Sequence, residues 1–148
     1  MPTDWKRAQQ KSVITARWAV TMTKVRIRQV LSRTRWQLVT FSGKAGGESV
    51  GIVDLLAIRK DHRKPANGTK RGDMLQIVLI QVKGGSAAMP TEEDGRRLQV
   101  VARRVHAQHV LLATWKRGSA VIFFSHNPRA TVAARRWAEV VDLGSVFR

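Results

Sequence analysis

The sequence predicts an α/β fold, a mixed β-sheet core flanked by helices in the order αβββαβ within a single domain. Three observations predict it. Residues 4–36 contain neither Gly nor Pro. From Trp36 onward the texture changes to short β-branched runs bounded by Gly. Between the third and fourth runs lies a charged, helically periodic segment long enough to cross over to a parallel strand. With 148 residues, of which 43% are hydrophobic, the chain closes one modest core.

The first helix is expected over residues 4–36, with Ile14, Trp18, Met22 and Val25 on one apolar face at spacings of four, four and three. That segment carries nine Lys or Arg and one acid, which suits either a solvated outer face or a surface turned to phosphate. Strands follow at residues 37–42, 49–59 and 75–83, and again at 110–115 and 120–125. Residues 42–47 and 116–118 read as turns, and residues 61–72 as a longer polar loop holding Pro65 and Asn67-Gly68. Pro90-Thr91-Glu92-Glu93-Asp94 starts a helix, with Thr91 as N-cap and Asp94 as its capping-box partner. Leu98, Val101 and Val105 form its buried face, and Arg96, Arg97, Arg103 and Arg104 repeat at seven-residue spacing on the other side. Asn127-Pro128 reads as a cap and first turn of a last helix running through Arg135, Arg136 and Trp137. Residues 1–36 are thus a basic helical segment, 37–126 the α/β core, and 127–148 a C-terminal helix and tail.

Charge and composition narrow the function. Lys and Arg number 27 against 10 Asp and Glu, a formal net charge of +17. A balance this basic favours polyanions, because each cation placed on a phosphate releases condensed counterions. Nucleic acid is the expected partner; no basic amphipathic helix stands beside a neutral body as a membrane binder would have it. No run approaches the roughly 18 apolar residues of a spanning helix, and charged residues occupy the place of a signal peptide's apolar centre, so a cytoplasmic protein is expected. The absence of Cys removes disulfide frameworks, thiolate zinc sites and a Cys nucleophile. Arg63, Lys64, Lys70 and Arg71 in the polar loop, together with the four arginines of the second helix, are the expected nucleic-acid contacts. Trp5 and Trp36, beside basic residues, are the expected stacking aromatics, whereas the periodic positions of Trp18 and Trp115 suggest core. His106 and His109 lack a third ligand for a zinc site.

Hydrolytic chemistry needs carboxylates, and most of the ten have another explanation. Asp4 is terminal, Asp61 and Asp73 flank the basic loop, Glu92, Glu93 and Asp94 serve the cap, and Glu139 and Asp142 lie in the tail. Glu48 and Asp54 remain. Asp54 interrupts the apolar run Val50 to Ile58, where an unpaired charge is costly to bury. The next strand carries a matching intrusion, Gln81-Val82-Lys83, with Gln81 and Lys83 on one face. If these strands pair, Asp54, Gln81 and Lys83 converge, either as a buried Asp54–Lys83 ion pair with Gln81 beside it or as a hard-cation site with an adjacent lysine.

Gly51-Ile52-Val53-Asp54 followed by Gln81-Val82-Lys83, in this order of elements, resembles the PD-(D/E)XK nuclease superfamily, restriction-endonuclease-like folds that include Holliday junction resolvases. The resemblance spans about residues 5 to 126. It implies a DNA endonuclease or junction resolvase that hydrolyses phosphodiesters by metal-activated water. It makes Asp54 a ligand of Mg²⁺ or Mn²⁺, puts Gln81 in the acid position, has Val82 contribute its carbonyl and makes Lys83 the catalytic lysine. For cutting two strands it implies a homodimer, although no residue pattern marks an interface. Two departures matter. Gln81 keeps an oxygen donor but removes a negative charge, and the first helix holds no Glu. Glu48 is six residues from Asp54, roughly 20 Å along an extended strand, and reaches the site only if a glycine bends the chain. The second hypothesis is therefore a nuclease fold that binds nucleic acid without cutting it. A third, a basic ribonucleoprotein component, leaves Asp54, Gln81 and Lys83 unexplained.

Overall fold

The computed structural model describes residues 4–41, 50–132 and 136–148. Helix α1 (Asp4–Leu31) precedes β1 (Gln37–Thr40), β2 (Leu55–Lys60) and β3 (Leu75–Gly84). Helix α2 (Glu92–Arg104) then crosses to β4 (His109–Trp115), followed by β5 (Ile122–His126), β6 (Trp137–Glu139) and a 3-10 turn at Leu143–Phe147. Among the described residues the strands form one sheet in chain order, β1 to β6. Only β3 and β4 run parallel, joined by the α2 crossover, and every other neighbouring pair is antiparallel. The predicted mixed sheet with the αβββαβ order is thus present. None of the described helices is long and apolar enough to cross a membrane.

Alternation along the strands divides the core between the two faces of the sheet. On one face Leu55, Ala57, Val78, Ile80, Leu111 and Phe123 pack against Ile27 and Leu31 of α1 and against Val146 and Phe147. On the other, Leu79 and Val110 pack against Leu98 and Ala102 of α2, with Leu56 and Ile77 alongside. The α2 start is the expected one: Thr91 accepts from the Asp94 N–H, and the Asp94 carboxylate accepts from the Thr91 N–H.

Three expectations are corrected. α1 buries Ala19, Thr23, Ile27 and Leu31, whereas Ile14, Trp18 and Val25 are exposed. The reason is close approach. A Cβ built on Gly84 would lie 2.7 Å from the Ala19 Cβ and 3.2 Å from the Thr15 carbonyl, so the helix meets β3 through its small residues and leaves its bulky stripe outside. The second strand starts at Leu55 rather than at 49, because Gly51 at φ +122° turns the preceding backbone. The expected C-terminal helix from Asn127 does not form. Asn127 instead closes a turn, its side chain accepting the Arg129 N–H and its own N–H donating to the Arg136 carbonyl. Trp137 then continues as an edge strand packed on His126. The predicted turn at 42–47, Glu48 and Arg135 lie outside the described residues.

Candidate active site

β2 and β3 pair, which meets the condition set for Asp54 and Gln81 to converge, with Leu55 opposite Ile80 and Leu56 opposite Leu79. One residue further, the same register sets Asp54 opposite Gln81. Two hydrogen bonds hold it there: the Asp54 N–H donates to the Ile80 carbonyl at 3.0 Å, and the Asp54 Oδ2 accepts from the Val82 N–H at 2.7 Å. From the other side the Phe41 N–H reaches the Asp54 carbonyl at 3.3 Å. The carboxylate therefore takes a ladder position on β3 at the point where β2 begins, and its orientation is fixed by backbone. Since the N–H and C=O of a strand residue point to the same side, the Val82 carbonyl faces this edge too.

Gln81 is 6% exposed, and its Oε1 is a buried oxygen with no hydrogen-bond partner. Native structures leave few buried polar atoms unpaired, and an orphaned acceptor costs about 1–3 kcal/mol. An acceptor in that state beside a carboxylate is a donor for a cation. Lys83 lies two residues on, half-buried, on the same face of β3. Its charge reaches Asp94 in the first turn of α2. There the Thr91 N–H holds the Asp94 carboxyl below the usual carboxylate range, and Lys83 and Arg97 add to that effect. Among the described residues the ion pairs join Arg63 to Asp61, Arg96 to Glu93, Arg136 to Glu92 and Arg148 to Asp142. Lys83 is in none of them.

The Asp54 carboxylate, the Gln81 Oε1 and the Val82 carbonyl are all hard oxygen donors, the set that suits Mg²⁺ or Mn²⁺ rather than a thiophilic metal. They include a single carboxylate. No group of three His, Cys, Asp or Glu able to hold a metal occurs among the described residues. Such a donor set would hold a cation only weakly.

The expected nucleic-acid contacts divide into separate places. Arg97 lies close enough to the site to act on Asp94 beside Lys83. Arg96 and Arg103 line a cleft on the other flank of α2, while Arg104, in its last turn, is exposed. Arg63, Lys64, Lys70 and Arg71 belong to the β2–β3 connection, which joins Lys60 to Leu75 at the end of β3 opposite Gln81. Six residues of strand, about 20 Å, separate the two ends. Within that loop Arg63 is committed to Asp61 at 2.8 Å, which lowers the Asp61 carboxyl to about 2. Of the tryptophans, Trp5 is 64% exposed. Trp36 is buried, its indole N–H donating to the Phe147 carbonyl at 2.8 Å and its ring lying under the Arg59 guanidinium, so it is a core residue and not a stacking platform. Trp18, expected in the core, is 55% exposed. The cleft beside α2 was not legible beforehand, because Arg129, Arg136 and Trp137 reach it only through the unforeseen turn and edge strand.

No family model matches the sequence, and no curated protein matches it. Among solved structures the chain is similar to Hjc, a Holliday junction resolvase from the archaeal hyperthermophile Archaeoglobus fulgidus. The match has 16% sequence identity, covers 86% of this chain and 90% of that one, and has a TM-score of 0.40.

Proposed function

We propose that this protein is a divalent-metal-dependent DNA endonuclease or junction resolvase that hydrolyses a phosphodiester at the Asp54–Gln81–Lys83 site. The observation that supports it is the buried, unpartnered Gln81 Oε1 beside a carboxylate fixed by the Val82 N–H at 2.7 Å. Asp54, Gln81 and the Val82 carbonyl would hold Mg²⁺ or Mn²⁺. When bound, such an ion polarises a phosphoryl oxygen and acidifies water, which makes hydrolysis accessible near neutral pH.

The chain's own residues supply the rest. Asp54 needs no reorganisation, because its carboxylate is already anchored to β3. Lys83 presents an ammonium with up to three N–H donors on the same face, suited to the charge that develops on the phosphate or to orienting an attacking water. Arg97 and Lys83 together make the mouth of the site attractive to a backbone phosphate. The described donors bring one carboxylate against a dication, so a phosphate would add the charge they do not supply, and metal and nucleic acid should bind with positive coupling.

The neutral Gln81 also supports a second reading, in which the fold binds nucleic acid without cutting it. Cleavage of duplex, single-stranded and four-way-junction DNA with Mg²⁺ or Mn²⁺ at about physiological salt separates the two. Metal-dependent cutting is expected, and Asp54→Ala and Lys83→Ala should each reduce it by at least 10²-fold with binding retained. Absence of cutting on every substrate with either metal, alongside intact binding, would select the second reading.

A further inference from the structure

A second basic concavity lies on the other flank of α2, away from Lys83. It is a cleft of about 840 Å³ between α2, the end of β5, the 127–130 turn and the start of β6, a volume within the range of small-ligand sites. Four guanidinium groups line it: Arg96, Arg103, Arg129 and Arg136. Arg96 is tied to Glu93 at 2.8 Å and Arg136 to Glu92 at 3.3 Å, and both carboxylates stay largely exposed. No ion pair among the described residues involves Arg103 or Arg129. The cleft is therefore a confined region of excess positive charge. Guanidinium groups match phosphate oxygens in geometry as well as charge.

One wall is aromatic. His126 and Trp137 pack with ring centroids 4.6 Å apart, and both line the cleft. The imidazole is locked in place. Gln99 Nε2 lies 2.7 Å from its Nδ1, and a Cβ on Gly95 would fall 3.0 Å from its Nε2, so any side chain there would press on the ring. Burial, reinforced by Arg136, holds the imidazole pKa below its usual value, so the ring presents itself as a neutral plane. Arginines around a fixed pair of aromatic rings provide for a phosphate and for the face of a base within one concavity.

We propose that this cleft is a nucleotide-binding site, taking a phosphate ester together with its unstacked base. It deepens the nucleic-acid reading above and rests on it for one of its two sources, an unpaired or terminal nucleotide of a bound strand; the other source is a free mononucleotide. A base inside an intact duplex is stacked and cannot offer its face to a concave wall. His126 stands one residue beyond Ser125, which pairs with Leu111, itself paired with Ile80. The cleft is thus two strands, about 10 Å, from β3, and α2 stands between it and Lys83. A strand end seated there would leave its neighbouring nucleotides at the N-terminal end of α2, beside the candidate active site.

The test is equilibrium binding in EDTA, at about physiological salt, of a blunt duplex and of the same duplex carrying a short unpaired 5′-phosphorylated arm. Wild-type protein is compared with Arg103→Gln/Arg129→Gln, whose targets carry no ion pair that the fold depends on. The wild type should prefer the armed duplex by about tenfold, the scale of one stacked base. In the variant that preference should collapse toward unity, while blunt-duplex affinity falls by a smaller factor. Adenosine monophosphate as competitor assigns the source: displacement of the arm at micromolar concentration identifies free nucleotide as occupant, and displacement only at millimolar concentration identifies the strand. No preference in the wild type, or a preference unchanged in the variant, would overturn the site. Failure of the nucleic-acid reading on which this source rests is separately visible as a wild type that binds neither duplex, and failure of the nuclease reading as intact binding with no metal-dependent cutting.

Discussion

Replacing Gln81 by Glu tests the cation site without recourse to activity. The register sets residue 81 opposite Asp54, where cross-strand Cβ atoms are about 5 Å apart. Two carboxylates at that separation, at an effective dielectric of about 20, repel by about 3 kcal/mol. In a chain of 148 residues this should lower the melting temperature by about 10 °C in EDTA. Added Mg²⁺ or Mn²⁺ should reverse the loss, because the second charge that is repelled without the ion is a better ligand with it. At a hundred times the dissociation constant the recovery is about 2.7 kcal/mol. Gln81→Leu provides the opposite control. It removes the unpartnered oxygen, so it should melt at or above the wild type in EDTA and show no metal-dependent shift. Thermal denaturation of the three proteins, with and without metal, reads all of this. If Gln81→Glu melts with the wild type in EDTA, or if metal stabilises Gln81→Leu as well as Gln81→Glu, the reasoning from the orphaned oxygen is wrong.

Other predictions follow from packing and titration. Gly84→Ala should destabilise by about 1–3 kcal/mol through overpacking, since its Cβ would meet Ala19 at 2.7 Å; in urea denaturation, Ala19→Gly should recover part of the loss, and additive effects would show that the two positions do not touch. Burial lowers the pKa of both His109 and His126, so the unfolded chain binds more protons below about pH 6.5 and stability should fall as pH drops through that value. His126→Gln should flatten this limb of a pH–melting curve, and an unchanged limb would count against it. A separate acid limb should come from Asp61 and Asp94, whose folded pKa values are lowered. Their contribution is present above about 3.8 and is lost as pH falls through the folded values, about 2 for Asp61, and Asp94→Asn should weaken that limb.

What the sequence made legible is what alternation and charge record. Asp54, Gln81 and Lys83 stood out because each interrupts an apolar strand, and the period of two put Gln81 and Lys83 on one face before any register was known. The α2 start was legible because Thr91 and Asp94 act within one turn. The buried face of α1 was not, since hydrophobicity ranks Trp18 above Ala19 but does not record that Gly84 lets the helix come within backbone contact. β6 was equally hidden: three residues carry too little periodicity, and Asn127-Pro128 suits a turn as well as a helix start. The arginine cleft has no local signal because three distant segments build it.

α1 is one element by hydrogen bonding and two by support. Its contact with β3 begins at Thr15, against Gly84 and Gly85, and its first buried residue is Ala19. The preceding turns, roughly 16 Å of helix, run out past the Lys83 end of the sheet with every residue from Asp4 to Ile14 exposed. A helix that short, with its side chains exposed, is marginal in water. Its backbone amides should therefore exchange with solvent on the scale of an isolated peptide, while those beyond Ala19 exchange only when the sheet opens. The same cylinder thus joins a rigid half to a half whose helicity any surface laid against it can raise, and that responsive half carries Trp5, Lys6, Arg7 and Lys11.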